Sequence, residues 1–279
     1  MIREMTVVEK GEVMSLMDTI ETPSDGPGFV TIFGDAGTGK TSLAATFPST
    51  IFIRAEDGLK AVPSEKRPKA FPLLRTAQDL WDQITALIKE PHEYKTLVID
   101  SVTKLDVLFT EEIMKTDGKN NLAQCAGGFG AGFQVLFGMH QRLRKACQVL
   151  QEKRGMNVVF IAHADVDKIE PPDMAGYSKY VMKITANSKV NCADPYVNDV
   201  DVVGFIRLQT FSKGSDGEVK KAVSTGAREL IAFATAANVS KNRFGITAPI
   251  TVDIGVNPLA GLVPFVPAVK AKQKEGEDK

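Results

Sequence analysis

The chain has 279 residues, 34 Lys+Arg against 34 Asp+Glu, and 43% hydrophobic residues. That length holds one large domain or two small ones with a full core, and zero net charge gives no standing attraction to nucleic acid or anionic lipid, so any DNA contact has to come from local patches. Cys125, Cys147 and Cys192 lie too far apart for a zinc pattern and are odd in number for a disulfide framework; with no apolar run of membrane-span length and no signal-peptide core in "MIREMTVVEK", the expectation is a reduced, soluble, cytoplasmic protein without a membrane partner.

Residues 1–28 end in the turn-rich "TPSDGPG" and read as a lead-in. "FVTIF" is a buried-strand run, followed by a glycine-rich stretch and a helix that begins near Lys40 and ends before Pro48. "IFIRA" is a second strand. "TAQDLWDQITALIKE" sets Leu80, Trp81, Ile84, Leu87 and Ile88 on one helical face. "TLVID" is a third strand, and "FQVLFGMHQRLRKACQVLQEK" carries a stripe of Phe133, Leu136, Phe137, His140, Leu143, Cys147 and Leu150, which makes His140 a core residue. "NVVFIAH" is a fourth strand, while His92 in "EPHEY" is a loop residue. Such alternation predicts an α/β fold, a mainly parallel sheet flanked by helices. From Val202 onward the strands "VVGFIRLQTF", "EVKKAVS", "ELIAFATA" and "PITVDI", with turns such as "SKGSDGE", predict an antiparallel C-terminal extension. The charged stretch 267–279 predicts a disordered tail, which leaves 29–266 as one domain.

Phe33 to Thr41, "FGDAGTGKT", fits G-x-x-x-x-G-K-[ST] between a strand and a helix, the context this phosphate cradle requires. Gly34 and Gly39 let backbone N–H groups approach the phosphates, with Asp35, Ala36, Gly37, Thr38 and Ser42 completing the lining. Lys40 is placed to neutralise β/γ oxygens and the Thr41 hydroxyl to ligate Mg²⁺. Asp100 closes "TLVID"; a carboxylate at the C-terminal end of a buried parallel strand points into the ligand crevice and suits a Mg²⁺ ligand, direct or through water. Glu56, just past the second strand, is placed to orient water on a γ-phosphate. There is no N-K-x-D guanine reader and no arginine-rich lid, which argues against a GTPase and a small-molecule kinase. The cofactors implied are ATP and Mg²⁺.

These residues carry a resemblance. "AEDGL" (Ala55 to Leu59) resembles the "AEHAL" stretch of RecA recombinases that holds their catalytic glutamate, and "LVIDSV" (Leu97 to Val102) resembles RecA's "VVDSV". "KNRFGITAP" (Lys241 to Pro249) is similar to the "KNRFG" motif of RadA and to the lysine-rich segments of RecA and DnaB-type helicases. The resemblance implies a RecA-like P-loop ATPase core over about 28–255, most like compact phage RecA-like proteins linked to single-strand annealing and acting in the host cytoplasm. Lys241 and Arg243 would then reach a neighbouring subunit's ATP site within a ring or filament, and His163, where RecA has an amide, would sense the γ-phosphate. Two mobile loops, Lys115 to Phe133 and Ala164 to Lys183, would meet single-stranded DNA through Lys115, Lys119, Lys168, Lys179, Lys183, Tyr177 and Tyr180. Other replication or recombination proteins would be further partners. A DnaB-like helicase core and a nucleotide-dependent binding module with negligible hydrolysis are the alternatives.

Overall fold

The computed structural model describes Met17 and residues 20–22, 25–213 and 221–268. Most of the expected lead-in, residues 214–218 of the "SKGSDGE" turn and nearly all of the expected tail lie outside the described residues.

The sheet contains β1 (Phe29–Gly34), β2 (Thr50–Arg54), β3 (Lys69–Ala70), β4 (Thr96–Asp100), β5 (Asn157–Ile169), β7 (Val202–Lys213), β8 (Lys221–Ile231) and β10 (Ile250–Thr251). Their order is β10-β8-β7-β1-β5-β4-β2-β3; β6 (Tyr177–Met182) pairs with β5, and β9 (Lys241–Asn242) pairs with β7. Neighbours from β7 to β3 run parallel, whereas β8 and β10 are antiparallel additions. This is the mainly parallel, helix-flanked sheet with an antiparallel C-terminal extension that the patterning predicts. "VVGFIRLQTF" itself proves to be a further parallel strand, so the antiparallel part begins only at β8.

Near-continuous apolar strands are what a parallel sheet covered on both faces demands, and β1, β4 and the first half of β5 are buried throughout. Alternation then sorts β1 between two cores. Phe29 and Phe33 pack with Leu80 and Ile84 of α2 (Ala77–Lys89), Leu105 and Phe109 of α3 (Val102–Asp117), and Leu136 and Leu143 of α4 (Ala131–Arg154). Val30 and Ile32 pack instead with Leu43 of α1 (Lys40–Ala44) and with Leu259, Val263 and Val266. Thr76 and Asp79 form a capping box at the start of α2, and Gly118 and Gly155 end α3 and α4 in the left-handed conformation, the usual helix stop.

Helix α3 has no counterpart in the sequence reading, and it takes the start of the expected first loop. Its buried face, Val102, Leu105, Asp106, Phe109 and Ile113, is interrupted by a carboxylate, which hides the period. Asp106 is matched inside: its two oxygens accept from His140 Nε2 (3.0 Å) and from Thr185, while His140 Nδ1 meets the Tyr196 hydroxyl at 2.8 Å. His140 is thus the expected core residue, fully buried; Cys192 joins this group. His92 lies in a loop as expected, its Nε2 against Leu87 O.

Two further expectations change. Residues 221–224 of "EVKKAVS" and 229–231 of "ELIAFATA" belong to one strand, β8, whose register shifts opposite Leu208/Thr210; Gly226 lies there at φ 78°, making a bulge within one strand where two strands were expected. The expected second loop is largely a hairpin, in which β5 continues past the sheet to pair with β6 from Ala164↔Met182 to Ile169↔Tyr177. Tyr180 stacks on Phe205 at 4.7 Å, so its ring serves packing and is not a free platform. Lys179 stands opposite Asp167, whereas Lys168 and Lys183 are exposed.

Candidate functional site

Strand register builds the site. Gly34 lies beside His163 and Arg54 beside Asp100, so the cradle, Glu56, Asp100 and His163 all emerge at the C-terminal edge, where open parallel sheets bind ligands. The main chain tightens this edge, with Ala55 and Glu56 N–H groups both donating to Asp100 O, at 2.7 and 3.2 Å. Gly34 cannot carry a side chain, because a Cβ would stand 2.2 Å from Ile206 O. Gly37 and Gly39 take φ of 77° and 93°, which only glycine adopts without strain.

Twelve residues enclose a cavity of about 320 Å³, among them Lys40, Thr41, Glu56, Asp100, His163 and Arg228; Ala36, Gly37, Gly39 and Ser42 also line it. Such a volume falls in the range of small-molecule pockets. Asp35 contributes its carbonyl, which together with Gly34 O accepts from Lys40 Nζ at 2.7 and 2.9 Å, and Thr38 donates to the same Asp35 carbonyl. Burial pushes the Lys40 ammonium down, an effect that Asp100, Glu56 and Asp35 only partly offset.

Thr41 Oγ1 donates to Asp100 Oδ2 at 2.8 Å. Burial, reinforced by the Glu56 charge, pushes Asp100 up to about 6 despite the Thr41 hydrogen bond and Lys40. A hydroxyl and a carboxylate so placed fit a hard cation such as Mg²⁺. Gly58 keeps that corner open, since a Cβ there would lie 2.7 Å from Asp100 Oδ2 and 2.9 Å from Thr41 Oγ1.

The raised Asp100 carboxyl has a consequence for stability. The folded protein holds its proton between roughly pH 4 and 6, where the unfolded chain has released it; this contribution is complete below the unfolded value and lost as pH rises through the folded one. Asp100→Asn is therefore expected to stabilise the metal-free protein by about 1–3 kcal/mol at pH 7.5, and the gain should vanish near pH 4. Urea unfolding with chelator at both pH values measures it.

Glu56 Oε1 meets His163 Nε2 at 2.9 Å. Burial pushes the Glu56 carboxyl upward, but interactions with His163 and Ser101, and the Lys104 charge, outweigh it and leave the group below its usual value. The main-chain N–H of His163 donates to Thr103 Oγ1 at 2.9 Å.

Lys241 and Arg243 lie elsewhere. Lys241 pairs with Val203, beside Thr31 near the start of β1, and its Nζ donates to Asn198 O at 2.8 Å. Burial and the Arg243 charge lower its ammonium. Arg243 is 63% exposed, with Nε 3.6 Å from Asp201, whose other oxygen accepts from Phe29 N. The cradle follows Gly34, about 17 Å along β1 from Phe29 at 3.3 Å per residue, so neither cation belongs to its own chain's cavity. Sequence reasoning missed Gly58 and Arg228. Gly58 was visible as the departure of "AEDGL" from "AEHAL"; Arg228 was one cation in a strand of mixed composition, with nothing local to mark it.

Among the described residues no helix is long and apolar enough to cross a membrane. No curated protein matches the chain. Among solved structures, the RadB recombinase crystal structure superposes with a TM-score of 0.47 and 13% identity, covering 83% of this chain and 90% of that one. Residues 29–244 match the AAA_24 family, described as an AAA domain. That match begins with the first residue of the cradle strand and runs to the residue after Arg243, so it takes in the whole edge described above: the chain belongs to the AAA_24 family and has the P-loop fold that its cradle announces.

Proposed function

We propose that this protein hydrolyses ATP and acts on single-stranded DNA in recombination or annealing, as a RecA-like ATPase whose sites are completed by neighbouring copies. The observation that carries the reading is the convergence of two pairs on one cavity beside Lys40: Thr41 with Asp100 at 2.8 Å, and Glu56 with His163 at 2.9 Å. In hydrolysis the water oxygen bonds to the γ-phosphorus as the bond to the β,γ-bridging oxygen breaks. Glu56, kept ionised, accepts a hydrogen bond from that water and orients it. His163 fixes the Glu56 carboxylate and senses the γ-phosphate. Lys40 turns from the cradle carbonyls to the phosphates. Thr41 and Asp100 would hold Mg²⁺, which when bound neutralises phosphate oxygens.

Two segments support the DNA part. Phe129 is 97% exposed on a glycine-rich turn tied down by Lys189 Nζ to Phe129 O at 2.8 Å. The hairpin of β5 and β6 exposes Lys168, and Lys183 is exposed at its base. An exposed aromatic ring with nearby cations is what single strands stack on and run along. The test is ATP turnover titrated with single-stranded DNA, with particle size measured with and without nucleotide. Turnover that rises with single strand, size that rises with ATP, and loss of both responses in folded Lys40→Ala protein are expected. Normal turnover by Lys40→Ala would sink the reading, and DNA-independent turnover would remove its DNA part.

A further inference from the structure

Arg228 has no role in anything described so far. It extends from β8 over the cradle, its Nε and Cζ within 3.5 and 3.6 Å of where a Cβ on Gly39 would be. It lines the phosphate cavity and also a second cavity of about 430 Å³, where Gly39, Ser42 and Leu43 face Val62, Val252 and Ile254. Among the described residues its Nε is buried without a hydrogen-bond partner, and no carboxylate lies within 4 Å of its guanidinium nitrogens. The adjacent Glu229 is taken by Arg207, at 2.7 Å. A buried guanidinium donor left unmatched costs free energy, and a planar cationic fork matches phosphate oxygens in geometry and charge.

We propose that Arg228 is a ligand-contacting residue of the nucleotide site, donating to phosphate oxygens on the Gly39 side, away from Glu56 and His163. This rests on the nucleotide reading above and deepens it. Arg228 comes from the same chain as the cradle, and its contact is to the phosphates that ADP shares with ATP. It therefore acts on binding, whereas Glu56 acts on the γ-phosphate step. It also ties the antiparallel extension to the ligand, because Arg228 O accepts from Val252 N at 2.9 Å beside β10.

The experiment measures equilibrium binding of Mg·ATP and Mg·ADP, with KM and kcat, for parent, Lys40→Ala, Arg228→Ala, Arg228→Gln and Arg228→Lys, each checked for fold by thermal unfolding without nucleotide. Arg228→Ala and Arg228→Gln should weaken ATP and ADP alike, by about 10–100-fold, raising KM with kcat within a few-fold of parent. Arg228→Lys should recover part of that loss, because the charge remains without the fork. If Arg228→Ala does not fold, Arg228→Gln carries the test, since it keeps much of the stem. ADP affinity within about 3-fold of parent in a folded Arg228→Gln, or Arg228→Lys no better than Arg228→Gln, overturns the inference. Parent protein that binds neither nucleotide overturns the nucleotide reading instead.

Discussion

Arg243→Ala protein is expected to turn over ATP about 10³–10⁵-fold more slowly than parent, and to recover part of the activity when mixed with Lys40→Ala protein. The geometry underlies both halves. Arg243 stands at the β1 start, beside Asp201, and the cradle follows the β1 end; the side chain serves a phosphate only if that phosphate belongs to another copy. There, exposed and held by one long ion pair, it is free to swing toward incoming negative charge. It borders a cavity of about 600 Å³ with Arg144 and Lys145 opposite Asp194 and Asp199, space for a neighbour's surface. If neighbouring copies join cradle to arginine in this way, each variant alone lacks one half of every interface. Mixed, some interfaces join an intact cradle to an intact arginine, so activity should return with a steep dependence on protein concentration. If the two variants co-assemble and no mixing ratio restores turnover, Arg243 has no role in a neighbour's site.

Glu56→Gln is expected to keep ATP bound and to slow its hydrolysis by about 10²–10⁴-fold, the usual worth of a positioned general base. The amide keeps the shape and can still meet His163 Nε2, so the loop, the fold and the cradle should survive. What it loses is the negative charge that polarises water. The charge is secure in the parent, because His163 and Ser101 hold the carboxyl below its ordinary value against the pull of burial. Single-turnover hydrolysis, measured beside nucleotide binding, separates the two effects. Unchanged hydrolysis by Glu56→Gln would move the water-orienting role to His163 or Asp100.

Much of the fold was legible because buried parallel strands announce themselves as unbroken apolar runs: "FVTIF", "TLVID" and "NVVFIA" each fall within a strand. The cradle was legible because phosphate recognition by main-chain N–H groups fixes glycine spacing. What stayed hidden has a local cause in each case. Asp106 sits in the buried stripe of α3 and masks its period, and the gap around Gly226, which separated two expected strands, is a bulge within one. Tyr180 looks like a free ring until Phe205 is known to lie beneath it. Among site residues, Glu56, Asp100 and His163 each follow or close a buried apolar run in the sequence, which marked their position, although β5 runs on past His163 to Ile169. Arg228 and Gly58 did not, since the first acts across some 190 residues of chain from the cradle and the second only by leaving room.

β5 leaves the sheet without a break. It passes His163 and continues to Ile169, with Lys183 N bonded to His163 O at 2.8 Å where the hairpin returns. The two-stranded ribbon is rooted beside the phosphate cavity, which His163 lines. At 3.3 Å per residue its free arm is about 20 Å, so a tilt of about 10° at His163 would carry the tip about 3.5 Å. That is comparable to the rise between stacked bases along one strand.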